Sequence, residues 1–356
     1  MSMPPRGNLV ARGRLADMTR RPQRAGTGRL KFLAGLLLSG LALILLFRGV
    51  RLSELWGVLE KIKVGWLAVA GLAVACDYGV RILRWRLMLR VRNPDLPYWK
   101  CAGPLLGSMA LNNLLPLRLG DVARATAFSA PLGVSTSFAT GTMVVERCAD
   151  LLALLLGASI GLLAYQGQGS SVVALTAGVI GGGALLAIGL VIVLGPHLLA
   201  RLRRLAYFQK PTPGRVMEAI VAFFDAMGEL RRPGVLFGVG MATIAAWILE
   251  GLVFYAAFQA VGASLTPLGA LFVTCTASLA TIIPSSPGYI GTFHLAVQQA
   301  AQLLGVSLGS ATIAAIVVHA ALWLMVTGSG AAWLGTRSLR AALHTAKARQ
   351  IQGEQV

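Results

Sequence analysis

Long apolar runs separated by short basic segments occupy most of the chain. The runs at 32–47, 172–195 and 313–334 contain no Lys, Arg, Asp or Glu. They approach or exceed the roughly 20 residues that a helix needs to cross about 30 Å of hydrocarbon. One further apolar stretch begins near Val64, and two others cover 135–165 and 234–261. In none of them do apolar and polar residues alternate with period 2. The pattern predicts an all-α polytopic membrane protein with about six full spans.

Two segments break this pattern into shorter apolar pieces. Segment 101–130 is interrupted by "LPLRLGD", and segment 266–306 is interrupted by "IPSSPGYIG". The flanking charges require segment 101–130 to begin and end on the cytoplasmic side of the membrane, and segment 266–306 to begin and end on the opposite side. Irregular backbone at membrane depth is tolerated where it lines a cavity, and one hairpin from each side is typical of inverted repeats. We therefore expect two re-entrant helical hairpins, with seven or eight helices by hydropathy count as the alternative.

Basic residues flank the apolar runs and set the predicted orientation. The formal net charge is +19, and excess Lys and Arg mark cytoplasmic segments. Residues 1–31 are predicted to form a basic cytoplasmic arm, 32–336 a single transmembrane domain and 337–356 a basic cytoplasmic tail. Loop 197–232 is predicted to be cytoplasmic, with a surface amphipathic helix at 216–230. We expect a multi-pass protein of the inner or plasma membrane, with no nucleic acid partner.

The composition excludes several classes of protein. Hydrophobic residues make up 56% of the chain, charged residues make up 13%, and the mean hydropathy is +0.72, which is too apolar for a soluble domain. The four cysteines are isolated and lack metal-ligand spacing. We find no Walker A, HExxH or GxSxG motif. The sequence therefore predicts a protein that is not an enzyme, is not driven by ATP, and has neither a cofactor nor a metal.

The inner segment concentrates polar residues that suit an anion. Arg118 is predicted near the tip of the hairpin, and "GDVARATAF" would begin a half-helix whose N-terminus points into the membrane. Free N–H groups at that N-terminus, with Arg118 and Arg124 nearby, would bind a lipid phosphate. Asn112 and Asn113 are candidates for the same headgroup site. Asp121 is expected to cap the half-helix through its carboxylate.

The outer segment offers hydroxyls and glycine at the corresponding place. Ser285 and Ser286 are candidate headgroup ligands, and Gly288 would allow close approach of the backbone. The alternative is that the prolines and glycines of "IPSSPGYIG" only turn the chain.

Several charged residues are predicted to lie within spans. Glu146, Arg147 and Asp150 share one helix face, and the two carboxylates are expected to pair with Arg118 or Arg124, in a functional or a purely structural ion pair. Glu250 falls near the middle of its span, where it would be a proton-coupling group or a hydrogen-bonded core carboxylate.

Arg81 and Arg84 are predicted at a cytoplasmic helix end. Snorkelling of the two side chains to the interface would explain them, and binding of an anionic headgroup is the alternative.

Four motifs together resemble a known family. They are "RILRWRLML" (81–89), "NNLLPLRLGDVARA" (112–125), "VVERCADLLAL" (144–154) and "PSSPGYIGTF" (284–293). The set resembles the lysylphosphatidylglycerol synthase transmembrane-region family, also called flippase-like or UPF0104 membrane proteins, without the soluble aminoacyltransferase domain of the synthases. Asp121 stands where the family more often has Glu, and His294 stands where it commonly has an acidic residue.

The resemblance implies a membrane domain that handles lipids. The expected function is translocation of a phosphate-bearing lipid, or of a lipid-linked precursor such as a polyprenyl phosphate, between leaflets. The alternative is a non-transporting accessory protein that binds lipid beside a lipid or glycolipid biosynthetic enzyme.

Overall fold

A computed structural model of the chain describes residues 25–164, 232–283 and 285–353, together with isolated positions between 179 and 230. All regular secondary structure in this part of the chain is helical, as the sequence predicted. The predicted arm up to residue 24, the span at 172–195 and most of loop 197–232, including most of its amphipathic helix, lie outside the described residues. The α-helices are α1 (Ala25–Phe47), α2 (Leu52–Leu59), α3 (Val64–Leu89), α4 (Tyr98–Leu114), α5 (Leu119–Thr126), α6 (Thr136–Ala164), α7 (Pro233–Ala260), α8 (Pro267–Ala280), α9 (Thr292–Leu303) and α10 (Leu308–Gly353).

Three of these helices are long and apolar enough to cross a membrane. They cover Val64–Leu89, Pro233–Ala260 and Leu308–Ser338. On α7, large apolar side chains recur at helical spacing on one outward face, from Phe237, which is 71% exposed, to Ile248, which is 61% exposed. Such a surface is unfavourable in water and suits contact with lipid tails. The described chain is therefore a helical membrane protein.

Helices α4 and α5 form one short antiparallel pair, which we call the inner hairpin. Helix α4 has 17 residues and α5 has 8, and the 3-10 turn Pro116–Arg118 joins them. Gly120 at the start of α5 lies directly against the backbone oxygen of Ser108 in α4, where a larger side chain would not fit. At about 1.5 Å per residue, α4 is about 25 Å long, which is less than the hydrocarbon thickness.

Helices α8 and α9 form the second short pair, which we call the outer hairpin. They have 14 and 12 residues and are joined through the 3-10 turn Pro287–Tyr289. Thr266 caps α8 by accepting a hydrogen bond from the Gly269 backbone N–H at 3.0 Å. Gly269 also lies beside Leu304, which caps the end of α9. The two helices are therefore antiparallel, and the pair falls within the predicted segment 266–306.

Two apolar cores support these hairpins. One packs α7, α8, α9 and α10 around residues such as Phe254, Val273 and Val318. The other packs α3, α4 and α6 around Trp85 and Leu105. Helix α3 runs along α7 and helix α10 runs along α4. The long helices thus hold the two hairpins on either side of a central space.

Candidate functional site

The central space is a cavity of about 450 Å³ that receives side chains from all helices from α3 to α10. Its size is within the range of small-molecule sites. Apolar and aromatic side chains line part of the wall. The charged and amide residues on the wall are Arg81, Asn112, Asn113, Arg118, Asp121, Glu146, Arg147, Asp150 and Glu250. Most of the site residues predicted from the sequence therefore lie on one cavity.

The tips of the two hairpins meet at this cavity. Arg118 Nε donates to the Tyr289 hydroxyl oxygen at 3.1 Å, and Arg118 Nη2 donates to the Thr281 carbonyl oxygen at 3.2 Å. The guanidinium carbon also lies 5.8 Å from the centroid of the Tyr289 ring. One arginine of the inner hairpin thus contacts both the backbone and an aromatic side chain of the outer hairpin.

The same two residues have unusual backbone conformations. Arg118 has φ 52° and Tyr289 has φ 57°, and within the described ranges no other non-glycine residue has a positive φ. This conformation costs of order 1–3 kcal/mol per residue and persists where the surrounding structure imposes it, often at functional sites. Each hairpin therefore presents one left-handed non-glycine residue at its tip, and the two side chains contact each other.

Arg118 differs from the other arginines on the cavity wall. Arg81 forms ion pairs with Asp77 and Glu250, and Arg147 forms an ion pair with Glu146 at 3.1 Å. Arg118 donates only to neutral oxygens, and no carboxylate of the described residues pairs with it. Among the described residues, Arg118 is therefore the arginine on the wall that forms no ion pair.

The amides of the inner hairpin fix its geometry. Asn112 Nδ2 donates to Asp121 Oδ1 at 2.9 Å, and the Asp121 backbone N–H donates to Asn112 Oδ1 at 3.1 Å. The prediction that Asp121 caps α5 is wrong, because the capping position is Arg118 and no side chain caps the helix there. Asn113 Nδ2 donates to Thr327 Oγ1 at 2.9 Å, which ties α4 to α10. Both asparagines still have atoms on the cavity wall.

A buried ion-pair network lies beside the cavity and holds α5 against α6. Arg124 is fully buried, and its Nη2 donates to Glu146 Oε1 at 3.1 Å. Arg147 donates to the same oxygen at 3.1 Å. The expected pairing of Glu146 with Arg124 is thus present, and Arg124 itself is not on the cavity wall. A buried pair of this kind is a poor predictor of net stability, but removing one partner leaves an uncompensated charge.

Asp150 pairs with a different arginine from the one expected. Arg84 Nη1 donates to Asp150 Oδ1 at 2.6 Å, and Arg84 Nη2 donates to Asp150 Oδ2 at 3.2 Å. The prediction that Asp150 pairs with Arg118 or Arg124 is therefore wrong. Arg84 is 1% exposed, so it is not the exposed helix-end side chain that the sequence suggested. The guanidinium of Arg84 presents two parallel N–H donors, and these bind the two oxygens of the Asp150 carboxylate as a bidentate pair.

Arg81 bridges two carboxylates from different helices. Its Nε lies 2.8 Å and 2.9 Å from the two oxygens of Asp77, one turn earlier on α3, and its Nη2 donates to Glu250 Oε2 on α7. Glu250 Oε1 accepts a weaker hydrogen bond from the Ser278 hydroxyl at 3.4 Å. Asp77 is fully buried and was not among the predicted residues. Its spacing of four from Arg81 was the signal that would have identified it.

The predicted serines of the outer hairpin point away from the cavity. The Ser286 backbone N–H donates to Ser39 Oγ of α1 at 2.9 Å, and the Ser286 hydroxyl donates to the Ile290 carbonyl oxygen at 3.1 Å. Ser285 Oγ accepts a hydrogen bond from Thr292 Oγ1 at 3.1 Å. Neither serine is on the cavity wall, whereas Gly288 is. The serines therefore join the outer hairpin to its own turn and to α1.

Aromatic residues on the wall were also missed by the sequence interpretation. Tyr289, Phe293 and Trp323 face the cavity, and the imidazoles of His294 and His319 stack with their centroids 4.5 Å apart. The spacing of aromatic residues along an apolar helix does not indicate which of them line a cavity. Their position on the wall is therefore known only from the tertiary structure.

The fold and the site define a polytopic helical membrane protein with a charged cavity between two short helical hairpins. The sequence model of the lysylphosphatidylglycerol synthase transmembrane region matches residues 32–330, and the chain belongs to this family. It is 28% identical to the glycosyltransferase AglD of Haloferax volcanii over 83% of this chain and 52% of that protein. It is 26% identical to the UPF0104 membrane protein MJ1078 of Methanocaldococcus jannaschii over 53% of this chain and 77% of that protein. The chain thus spans about half the length of AglD.

Proposed function

We propose that the protein is a membrane lipid translocator. It would move a phosphate-bearing lipid, or a lipid-linked precursor such as a polyprenyl phosphate, between leaflets without ATP. The observation that carries this proposal is Arg118, which pairs with no carboxylate in the described part of the chain and faces a central cavity at the junction of both hairpin tips. A phosphate has the charge and the acceptor geometry that a guanidinium binds best.

The arrangement of helices supports a path for the headgroup. The inner and outer hairpins are too short to span the bilayer singly, and irregular backbone at membrane depth is tolerated where it lines a cavity. We propose that they are re-entrant hairpins in an inverted repeat, beside about six full spans. The headgroup would bind between the hairpin tips while the tails stay in hydrocarbon, and rocking of the two halves would expose the site to each leaflet in turn.

The orientation follows from the basic segments. We propose an inner or plasma membrane location with both termini in the cytoplasm, because the sequence near each terminus is rich in Arg and Lys. We also propose that the chain is not itself an enzyme. The name glycosyltransferase belongs to AglD, of which this chain matches 52%.

The proposal is tested by exchange of lipid between leaflets. Purified protein is placed in liposomes with fluorescent phosphatidylglycerol or a fluorescent polyprenyl phosphate, and exchange is followed by dithionite quenching. Arg118→Asn is the informative variant because asparagine tolerates the left-handed conformation of this position better than most residues, so charge is removed with little change in backbone strain. We expect the exchange rate to fall at least tenfold.

Arg51→Ala is the matched control, since Arg51 is exposed before α2 and away from the cavity. It should exchange lipid at the wild-type rate. Absence of exchange by the wild type with either lipid would overturn the translocator. Specific binding of lipid without exchange would instead support an accessory protein of a lipid or glycolipid biosynthetic enzyme.

A further inference from the structure

Arg81, Asp77 and Glu250, which we call the α3–α7 triad, lie at the cavity in an arrangement that the proposed function does not yet use. Two carboxylates share one guanidinium. Arg81 and Glu250 both face the cavity, whereas Asp77 is fully buried behind them. The three residues taken alone carry one excess negative charge.

The two carboxylates hold Arg81 unequally. Both carboxylate oxygens of Asp77 accept a hydrogen bond from Arg81 Nε, at 2.8 Å and 2.9 Å, and the two residues lie on the same helix. Glu250, on another helix, accepts a hydrogen bond from Arg81 Nη2 through one carboxylate oxygen. Its second oxygen accepts one hydrogen bond in the described chain, from the Ser278 hydroxyl at 3.4 Å. Glu250 lies on the cavity wall and Asp77 is buried behind it, so an anion that enters the cavity reaches the Arg81–Glu250 pair and not Asp77.

A displaced Glu250 would be surrounded by groups that do not compensate its charge. Helix α3 presents Asp77 and Tyr78, and α6 presents Asp150, whose charge repels that of Glu250. Helix α8 contributes Cys275 and Ser278, which are neutral. The other charged or titratable groups on the wall are Arg118, Asp121, Tyr289, Arg147, which is paired with Glu146, and His319 of α10. Under the proposed function, the charge of Arg118 is matched by the bound headgroup. An unpaired carboxylate away from bulk water is costly and is relieved by taking up a proton.

We propose that an anionic lipid headgroup and Glu250 compete for Arg81, and that Glu250 takes up one proton from the water of the cavity for each headgroup bound. In this exchange the proton comes from the aqueous compartment on the side where the headgroup binds. The headgroup phosphate receives the hydrogen bond from Arg81 Nη2, and the Glu250 carboxylate becomes a carboxylic acid. Release of the headgroup on the other side returns the proton and restores the ion pair. The proposal rests on the proposed function, because it makes lipid translocation a symport of one proton with one anionic headgroup.

The test is accumulation of lipid under a pH gradient. Proteoliposomes carry a trace of fluorescent phosphatidylglycerol, and potassium with valinomycin on both sides holds the membrane potential at zero. Electroneutral symport requires the product of lipid and proton activities to be equal on both sides. A gradient of one pH unit should therefore enrich the lipid up to tenfold in the leaflet facing the alkaline compartment. Protein-free liposomes measure the spontaneous movement.

Glu250→Gln separates the proton site from the translocation path. Glutamine is shaped like the protonated acid, so we expect this variant to exchange lipid at equal pH and to show no enrichment under the gradient. Glu60→Gln, at an exposed position after α2, is the matched control and should enrich lipid like the wild type. Exchange by the wild type without enrichment would overturn the proton symport and leave the translocator standing. Enrichment that persists in Glu250→Gln would assign the proton to another group and overturn the role of Glu250.

Discussion

The inner and outer hairpins share a backbone plan, but they are held in the protein by different forces. Each has two short antiparallel helices, a 3-10 turn and one left-handed non-glycine residue at the tip. The inner hairpin carries Arg118, Asp121 and Arg124, whereas residues 262–306 contain no Lys, Arg, Asp or Glu. The inner hairpin is held through a buried ion pair to α6, and the outer hairpin through apolar packing and neutral hydrogen bonds.

The two hairpins therefore contribute different groups to one cavity. The charged hairpin supplies the cation that suits a phosphate, and the neutral hairpin supplies the hydroxyl and the aromatic face of Tyr289 against which that cation rests. A site with cations on both tips would bind an anion more tightly but release it more slowly. Under the proposed function, the asymmetry would favour passage of a headgroup over its retention.

The largest effect is expected from Glu146→Gln, which breaks the attachment of the inner hairpin. The variant leaves Arg124 fully buried without a carboxylate, and loss of one member of such a pair costs about 3–5 kcal/mol. Chemical denaturation in mixed micelles would measure the change in the free energy of unfolding. The double variant Arg124→Gln, Glu146→Gln should regain part of the loss. A cost below about 1 kcal/mol would mean that water solvates this pair.

A glycine in each hairpin gives the next comparison. Gly291 has φ 95°, and a Cβ there would lie 2.5 Å from the Ser39 backbone oxygen, so Gly291→Ala combines backbone strain with overpacking and should cost about 2–5 kcal/mol. Gly120→Ala lacks a positive φ, but its Cβ would lie 1.8 Å from the Ser108 backbone oxygen, a closer overlap than at Gly291. It should cost at least about 1–3 kcal/mol.

Gly240→Ala in α7 is the control for both variants, because a Cβ there meets nothing within 4 Å. It should not destabilise the protein, since alanine favours the helix by about 0.5–1 kcal/mol. Melting midpoints in the same detergent would rank the three variants. A melting midpoint of Gly120→Ala as high as that of Gly240→Ala would show that α4 and α5 can separate without cost.

Gln298→Leu tests the neutral attachment of the outer hairpin. Gln298 is fully buried, and its amide donates to the Leu46 carbonyl oxygen and to Thr312 Oγ1, both at 2.7 Å. Leucine preserves most of the volume but leaves the α1 carbonyl without this donor, which should cost about 1–3 kcal/mol. The loss should be smaller than that of Glu146→Gln under the same denaturant. The reverse order would mean that the outer hairpin, not the inner one, limits the stability of the fold.

The sequence predicted the helical class, the two short pairs and most of the polar cavity wall, because each depends on local apolar pattern and charge spacing. It failed where the outcome depends on packing between distant segments. Arg84 was interpreted as a helix-end residue, but tertiary structure buries it against Asp150, 66 positions away. Ser285 and Ser286 were assigned to the cavity, but they form hydrogen bonds with Ser39 of α1 and with Ile290 and Thr292 of their own hairpin. Asp77 was missed despite its i, i+4 spacing from Arg81.

The smallest effect on stability is expected from Tyr289→Phe at the junction of the tips. The variant removes the 3.1 Å hydrogen bond from Arg118 and keeps the ring near the guanidinium, so the free energy of unfolding should fall by about 0.5–1.5 kcal/mol. Because the hydroxyl competes with a phosphate for Arg118 Nε, its removal should tighten binding of fluorescent phosphatidylglycerol by about two- to tenfold, as that energy implies. Titration of the purified protein in lipid nanodiscs would measure the affinity. Weaker binding would show that the Tyr289 hydroxyl itself contacts the headgroup, and the neutral hairpin would then be part of the binding site rather than a support for Arg118.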